Sequence, residues 1–132
     1  MNIPDLQNKI KKTAHSLLFE KGYICAVDML IKLDYLTQKD YQAWRLGKVS
    51  YLEKACKVNL SKLSTINSTT KKIAKELQLK ESWTAYNQYG KGPKRRLIFS
   101  KSGDNNIEKA YATHYLDVKR INELKTNKTN GL

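Results

Sequence analysis

Ile3, Leu6, Ile10, Ala14, Leu17 and Leu18 recur at intervals of three and four, the spacing that puts apolar side chains on one face of an α-helix. With Pro4 in the first turn and Gly22 where a C-cap would fall, this predicts a helix over about residues 4 to 20. In residues 24–33, ICAVDMLIKL, Val27, Leu30 and Ile31 give an apolar face that Met29 and Leu33 widen. That breadth predicts a helix buried around much of its circumference. Thr37-Gln38-Lys39-Asp40 and Ser50-Tyr51-Leu52-Glu53 read as capping boxes, the second the stronger because a full-length Glu can reach back to the cap amide. They predict a short helix carrying Tyr41, Trp44 and Arg45, ended by Gly47, and another over about residues 51 to 57. Asn59 can cap a longer helix with the stripe Leu60, Leu63, Ile66, Ile73 and Leu77. Its middle, STINSTT, is poor in helix formers, so one helix or two with a break near Asn67 and Ser68 both fit.

The period then changes. Trp83 to Tyr89 and Arg95 to Lys101 alternate as strands do, joined by a Gly90 to Lys94 segment with two glycines and Pro93, and together they read as an antiparallel hairpin. Leu97 and Phe99 are its core positions, and Trp83 is expected to pack inward with Ala85. Asp104 can cap a last helix through Ile107, Ala110, Tyr111 and Tyr115. Beyond about Asn122 the apolar content is too low to pack, and the end is expected to fray. The fold class expected is α+β, mainly α: five to six helices with one hairpin near residues 83–101, in one compact domain over residues 1–121. A winged-helix-like arrangement is among the layouts that fit. At 132 residues such a chain can fold without disulfides or metal.

Charge changes the picture more than composition does. The chain carries 25 Lys and Arg against 12 Asp and Glu, a net +13. Residues 59–103 hold ten basic and two acidic side chains, whereas residues 104–132 hold five and four. An excess concentrated in this way points to a polyanion-binding face, with nucleic acid, DNA or RNA, the favoured partner. The candidate contacts are Lys62, Lys71, Lys72 and Lys75 on the long helix, and Tyr89, Lys91, Lys94, Arg95 and Arg96 at the hairpin tip. In a winged-helix layout the helix from Ser61 to Leu79 would read bases, also offering Thr65, Asn67 and Thr69, and the hairpin would be the wing. Trp83, Tyr86 and Tyr89 among cations also suit base stacking on a single strand, set against the simpler reading of Trp83 as a core residue. The alternative partners are an acidic protein or an anionic membrane surface, met by a non-enzymatic adaptor.

Candidate catalytic chemistry is sparse. His114 can be set beside Lys101 or Arg96 as a ribonuclease-like pair, or on paper beside Ser100, Ser102 and Asp104, but no nucleophile elbow accompanies them. The run Ser100 to Asp104 reads either as a phosphate-binding helix start or as plain turn and cap chemistry. Trp44 is expected in the core and Arg45 in a surface salt bridge. Cys25 and Cys56, without metal-ligand spacing, read as small buried hydrophobes in a reducing compartment. No cofactor, metal site or catalytic residue is expected, and the absence of an apolar signal core or long apolar run leads to a cytoplasmic expectation.

Gly22-Tyr23, Leu36-Thr37 with Asp40, Trp44-Arg45 with Gly47, Tyr51-Leu52-Glu53, Asn59-Leu60, Gly90-Lys91-Gly92 with Lys94, Phe99 to Asp104, and Tyr111 with His114 form a pattern. On these residues the chain resembles a group of short bacterial proteins without an assigned activity, over about three quarters of its length. The group carries prolines near Ala26 and at Ser50, which this chain lacks. The resemblance implies a bacterial cytoplasmic domain and no particular chemistry.

Overall fold

The structure is a computed structural model, and it describes the backbone of residues 3–130, with side chains as far as Thr126. It is α+β and mainly α, with seven helices and one three-stranded antiparallel sheet among the described residues. Helix α1 (Ile3–Lys21) buries Leu6, Ile10, Ala14, Leu17 and Leu18, the stripe read from the spacing. It ends at Gly22, whose φ of +82° favours glycine. A Cβ there would lie 2.5 Å from Ile121 Cγ1 and 3.1 Å from the Ile121 backbone nitrogen, so the same glycine lets a later helix approach. Strand β1 (Tyr23–Ile24) and helix α2 (Ala26–Lys32) follow, and α2 is indeed buried broadly, through Ala26, Val27, Met29 and Leu30.

Helix α3 (Gln38–Arg45) starts as its capping box requires, with the Asp40 amide donating to Thr37 Oγ1 at 3.0 Å. The Ser50 box is not used. Helix α4 (Leu52–Ala55) has Tyr51 at its N-cap with no side-chain bond, and the Leu52 and Glu53 amides donate instead to the carbonyls of Ile98 and Phe99. A backbone segment from far along the chain satisfies the orphan donors that the serine would have served. Glu53 accepts a 2.6 Å bond from the Tyr111 hydroxyl.

Helix α5 (Leu60–Glu76) is continuous, capped by Asn59 Oδ1 on the Lys62 amide at 2.9 Å. Thr65, Ser68 and Thr70 turn their hydroxyls onto carbonyls three or four residues back, so the polar run bonds along the helix rather than breaking it. Its buried face, centred on Leu63, Ile66, Thr70 and Ile73, packs on α1 and α2.

The sheet uses residues other than the expected ones. Strand β2 is Lys80–Trp83 and β3 is Thr113–Leu116, with α6 (Asn105–Ala112) between them and α7 (Val118–Asn130) after them. The order is β1-β3-β2, with Tyr23 opposite Leu116 and Trp83 opposite Thr113. Tyr115, expected on the last helix, lies on β3. Thr113 and Tyr115 point inward alternately, and Thr and Tyr suit a half-buried pleated strand better than a helix end. The backbone remains helical from Val118 to Asn130; part of the end expected to fray lies outside the described residues.

The hairpin survives as a narrow ribbon. One bridge joins Asn87 to Arg96, flanked by Gln88 N to Arg95 O and Leu97 N to Tyr86 O, each 2.8 Å. Buried side chains hold it rather than a ladder: Tyr86, Leu97 and Phe99 enter the core, each worth about 1.5–3 kcal/mol of burial. There they meet Trp44, fully buried, whose Nε1 donates to Ile98 O at 2.9 Å. Phe99 stacks on Tyr111 at 5.1 Å and Trp44 lies 5.2 Å from Phe99.

Candidate nucleic-acid interface

The ribbon sits where the C-terminus of α3 places it. Tyr89 N donates to Arg45 O at 2.7 Å, and Gly47, at φ +78°, passes so close to Gln88 that a Cβ would lie 2.8 Å from Gln88 Cδ. Arg45, expected in a salt bridge, makes none among the described residues. Its guanidinium lies 4.0 Å from the Tyr89 ring centroid and 5.1 Å from that of Tyr86, and Nη1 donates to the Tyr41 hydroxyl. Aromatic faces replace the carboxylate, because the ribbon brings two rings to the cation and no acid.

This docking sets the tip arginines beside the loop after α3 and the helix α4. Arg95 and Arg96 line a pocket of about 500 Å³ together with Lys48, Ser50 and Lys54. No acidic side chain lines it, and among the described residues none of these four cations is in an ion pair. Lys48 and Lys54 carried no signal in the sequence, since each is a lone lysine in a loop or a short helix. Only the fold makes them neighbours of residues some forty positions later. Lys91 and Lys94 are exposed on the tip, where Lys94 Nζ bonds Gly90 O at 3.1 Å, and Tyr89 remains 41% exposed.

The lysines of α5 are elsewhere. Lys62 and Lys71 are nine residues apart, which at about 100° per residue sets them on opposite sides of the helix. Lys72 is exposed, and Lys71 and Lys75 share the outer face. That face is one wall of a separate cleft of about 550 Å³, in which Leu60, Ser64 and Lys71 look across to Lys101 and Ile107. A second hollow continues past Lys75 and Tyr115. Of the expected contact residues, Arg95 and Arg96 line the basic pocket, Lys71 the mixed cleft and Lys75 the hollow beside it, while Lys62, Lys72, Tyr89, Lys91 and Lys94 line none of the three.

Trp83 is the clearest departure. It is 56% exposed, at the end of β2, with the Arg96 guanidinium 4.8 Å from its ring centroid, while Tyr86 takes the core place. The Ser100 to Asp104 turn is already occupied by the chain's own anion. Glu108 accepts from Phe99 N, Ser100 N and Ser100 Oγ at 2.9, 2.9 and 2.7 Å, and Asp104 Oδ1 caps α6 through the Asn106 and Ile107 amides. Turn and cap chemistry is therefore what these residues perform.

His114 is held by aromatic neighbours. Its Nε2 is 2.8 Å from the Tyr86 hydroxyl, and Tyr23 stacks on its ring at 5.4 Å. Burial pushes the Tyr86 hydroxyl well above its ordinary range and lowers His114 below its usual 6.5. Both shifts favour the uncharged forms, a phenol hydrogen-bonded to a neutral imidazole. Lys101 lines the α5 cleft and the Arg96 guanidinium lies beside the Trp83 ring, so neither cation is among the groups holding the histidine. Cys25 and Cys56 are both free, with thiols pushed up to about 12 by burial.

Among the described residues no three His, Cys, Asp or Glu side chains gather to hold a metal ion, and no helix is long and apolar enough to cross a membrane. No protein-family model, curated protein or solved structure matches the chain.

Proposed function

We propose that the protein binds nucleic acid through the pocket formed by Lys48, Lys54, Arg95 and Arg96. The observation that carries this reading is one concave site lined by Lys48, Lys54, Arg95 and Arg96 and by no acid, none of the four being in an ion pair among the described residues. Like charges repel, and such a cluster is stabilised by an anion that two or more of them share. Two of the four are arginines, whose planar forks match phosphate oxygens. Lys91 and Lys94 on the exposed tip extend the positive surface along a backbone. A reader helix on α5 finds less support, because its lysines are spread around the helix and its outer face is walled by α6 and the Ser100 to Ser102 loop.

The test is salt-dependent binding with matched charge removal. With about four phosphates neutralised, log affinity should fall with log salt at a slope near −3.6 for duplex DNA or about −2.8 for single strands. Replacing Lys48, Lys54, Arg95 and Arg96 by Ala should abolish most of the binding, whereas Lys9, Lys11, Lys12 and Lys39 replaced together should leave most of it. No retention of any nucleic acid at about 50 mM salt, or equal loss in the two variants, would overturn the proposal. Equal displacement by polyglutamate at matched charge would do so too, in favour of an adaptor for acidic proteins.

A further inference from the structure

The basic pocket shares a wall with a second hollow. Arg96 lines both: on one side it shares the pocket with Lys48, Lys54 and Arg95, and on the other it borders a space of about 430 Å³ with Trp83, Asn105 and Lys109. Trp83 is 56% exposed although aromatic residues of its size are usually buried, and the arginine beside its ring is the pocket's own. A phosphate site, a cation and an open indole therefore follow one another over the width of one side chain. Asn105 and Lys109, both exposed on the first two turns of α6, line the same hollow and offer an amide and an ammonium there.

Resting on the nucleic-acid reading above, we propose that the ligand is a single strand, bound with its phosphates in the Lys48, Lys54, Arg95 and Arg96 pocket and an unpaired base stacked on Trp83. A duplex keeps the faces of its bases covered by neighbouring pairs, so it can fill the basic pocket but not use the indole. An unpaired base offers its face freely, and every base has one, so the site selects for strandedness rather than sequence. Arg96 serves both halves, as a partner to phosphate and as a cation against the same aromatic surface.

The chain has a convenient reporter. Of its two tryptophans, Trp44 is fully buried and Trp83 is open. Titrating the full chain with oligouridine or oligothymidine of about ten nucleotides should quench the Trp83 emission, and a blunt duplex of the same length should not. Trp83→Ala should weaken single-strand binding about tenfold or more and leave duplex binding nearly unchanged, while Trp83→Phe recovers most of the loss. Equal thermal midpoints for the three proteins exclude a folding effect. The RNA and DNA arms separate the two sources of the strand. Binding of duplex and single strand with equal affinity, without quenching and without an effect of Trp83→Ala, would overturn this inference and leave the phosphate pocket standing. Failure of every nucleic acid to bind would overturn both.

Discussion

His114 is the residue whose protonation bears most directly on stability. Its ring lies between Tyr23 and Tyr86, and its burial there favours the neutral form. Because desolvation lowers the folded-state pKa below the unfolded value, the unfolded chain binds more protons as the pH falls. The stabilisation is complete above the ordinary value of 6.5 and is lost as the pH drops through the lowered folded value. Urea midpoints should therefore decline between pH 7.5 and 5, and the decline should be smaller in His114→Gln. An equal decline in both proteins would assign the acid sensitivity to other groups. The same scale shows what single residues disclose. Trp44, one turn after Tyr41 on a capped helix, reads correctly as core. Trp83 misleads, because alternation specifies which side of a strand a residue takes but not where the strand begins. With β2 at Lys80–Trp83, the inward position falls to Tyr86 and the indole is left outside.

At the scale of elements, helices with their own apolar stripe and local cap were legible: α1, α2, α3 and α5 all lie where spacing and Thr37 or Asn59 put them. Elements held by distant partners were not. The Ser50 box looked complete, yet the Ile98 and Phe99 carbonyls take the α4 amides, on a backbone held by the packed Trp44, Phe99 and Tyr111 rings. The THYL segment, Thr113 to Leu116, hid behind the i, i+4 pair Tyr111 and Tyr115, which mimics one more helical turn. Glu108 ties these pieces together. Its carboxylate takes three bonds from Phe99 and Ser100, from a half-buried position in the first turn of α6. Removing it leaves two backbone amides without a partner, and Glu108→Ala should cost about 2–4 kcal/mol in urea unfolding. The Phe99 and Ser100 amides should also lose hydrogen-exchange protection ahead of the α1 amides. A change below about 0.5 kcal/mol would show that water or a neighbouring group replaces the carboxylate at no cost.

On the scale of the whole molecule, one core runs from Leu6 on α1 to Tyr115 on β3, and the proposed binding surface is an outgrowth of it. Arg95 and Arg96 immediately precede buried Leu97, Lys54 is on the helix whose amides rest on Ile98 and Phe99, and Lys48 follows the glycine packed on Gln88. The pocket's geometry thus depends on the folded core rather than on a mobile arm. This is why charge counts alone located a basic region but could not assemble its members. Cys25 offers a probe of that dependence. It is 1% exposed at the start of α2, 3.9 Å from the Tyr86 hydroxyl, with a thiol pushed up to about 12. A thiolate is the reactive species, so both burial and pKa protect it in the native state. In a Cys56→Ala background, labelling of Cys25 at pH 8 should be slower than in the urea-unfolded chain by about 10³-fold or more. Its rate should rise with urea along the slope of global unfolding. Labelling that is fast in buffer and indifferent to urea would mean that α2 opens by itself. The pocket, the ribbon and the sheet would then have to be treated as parts that come apart independently.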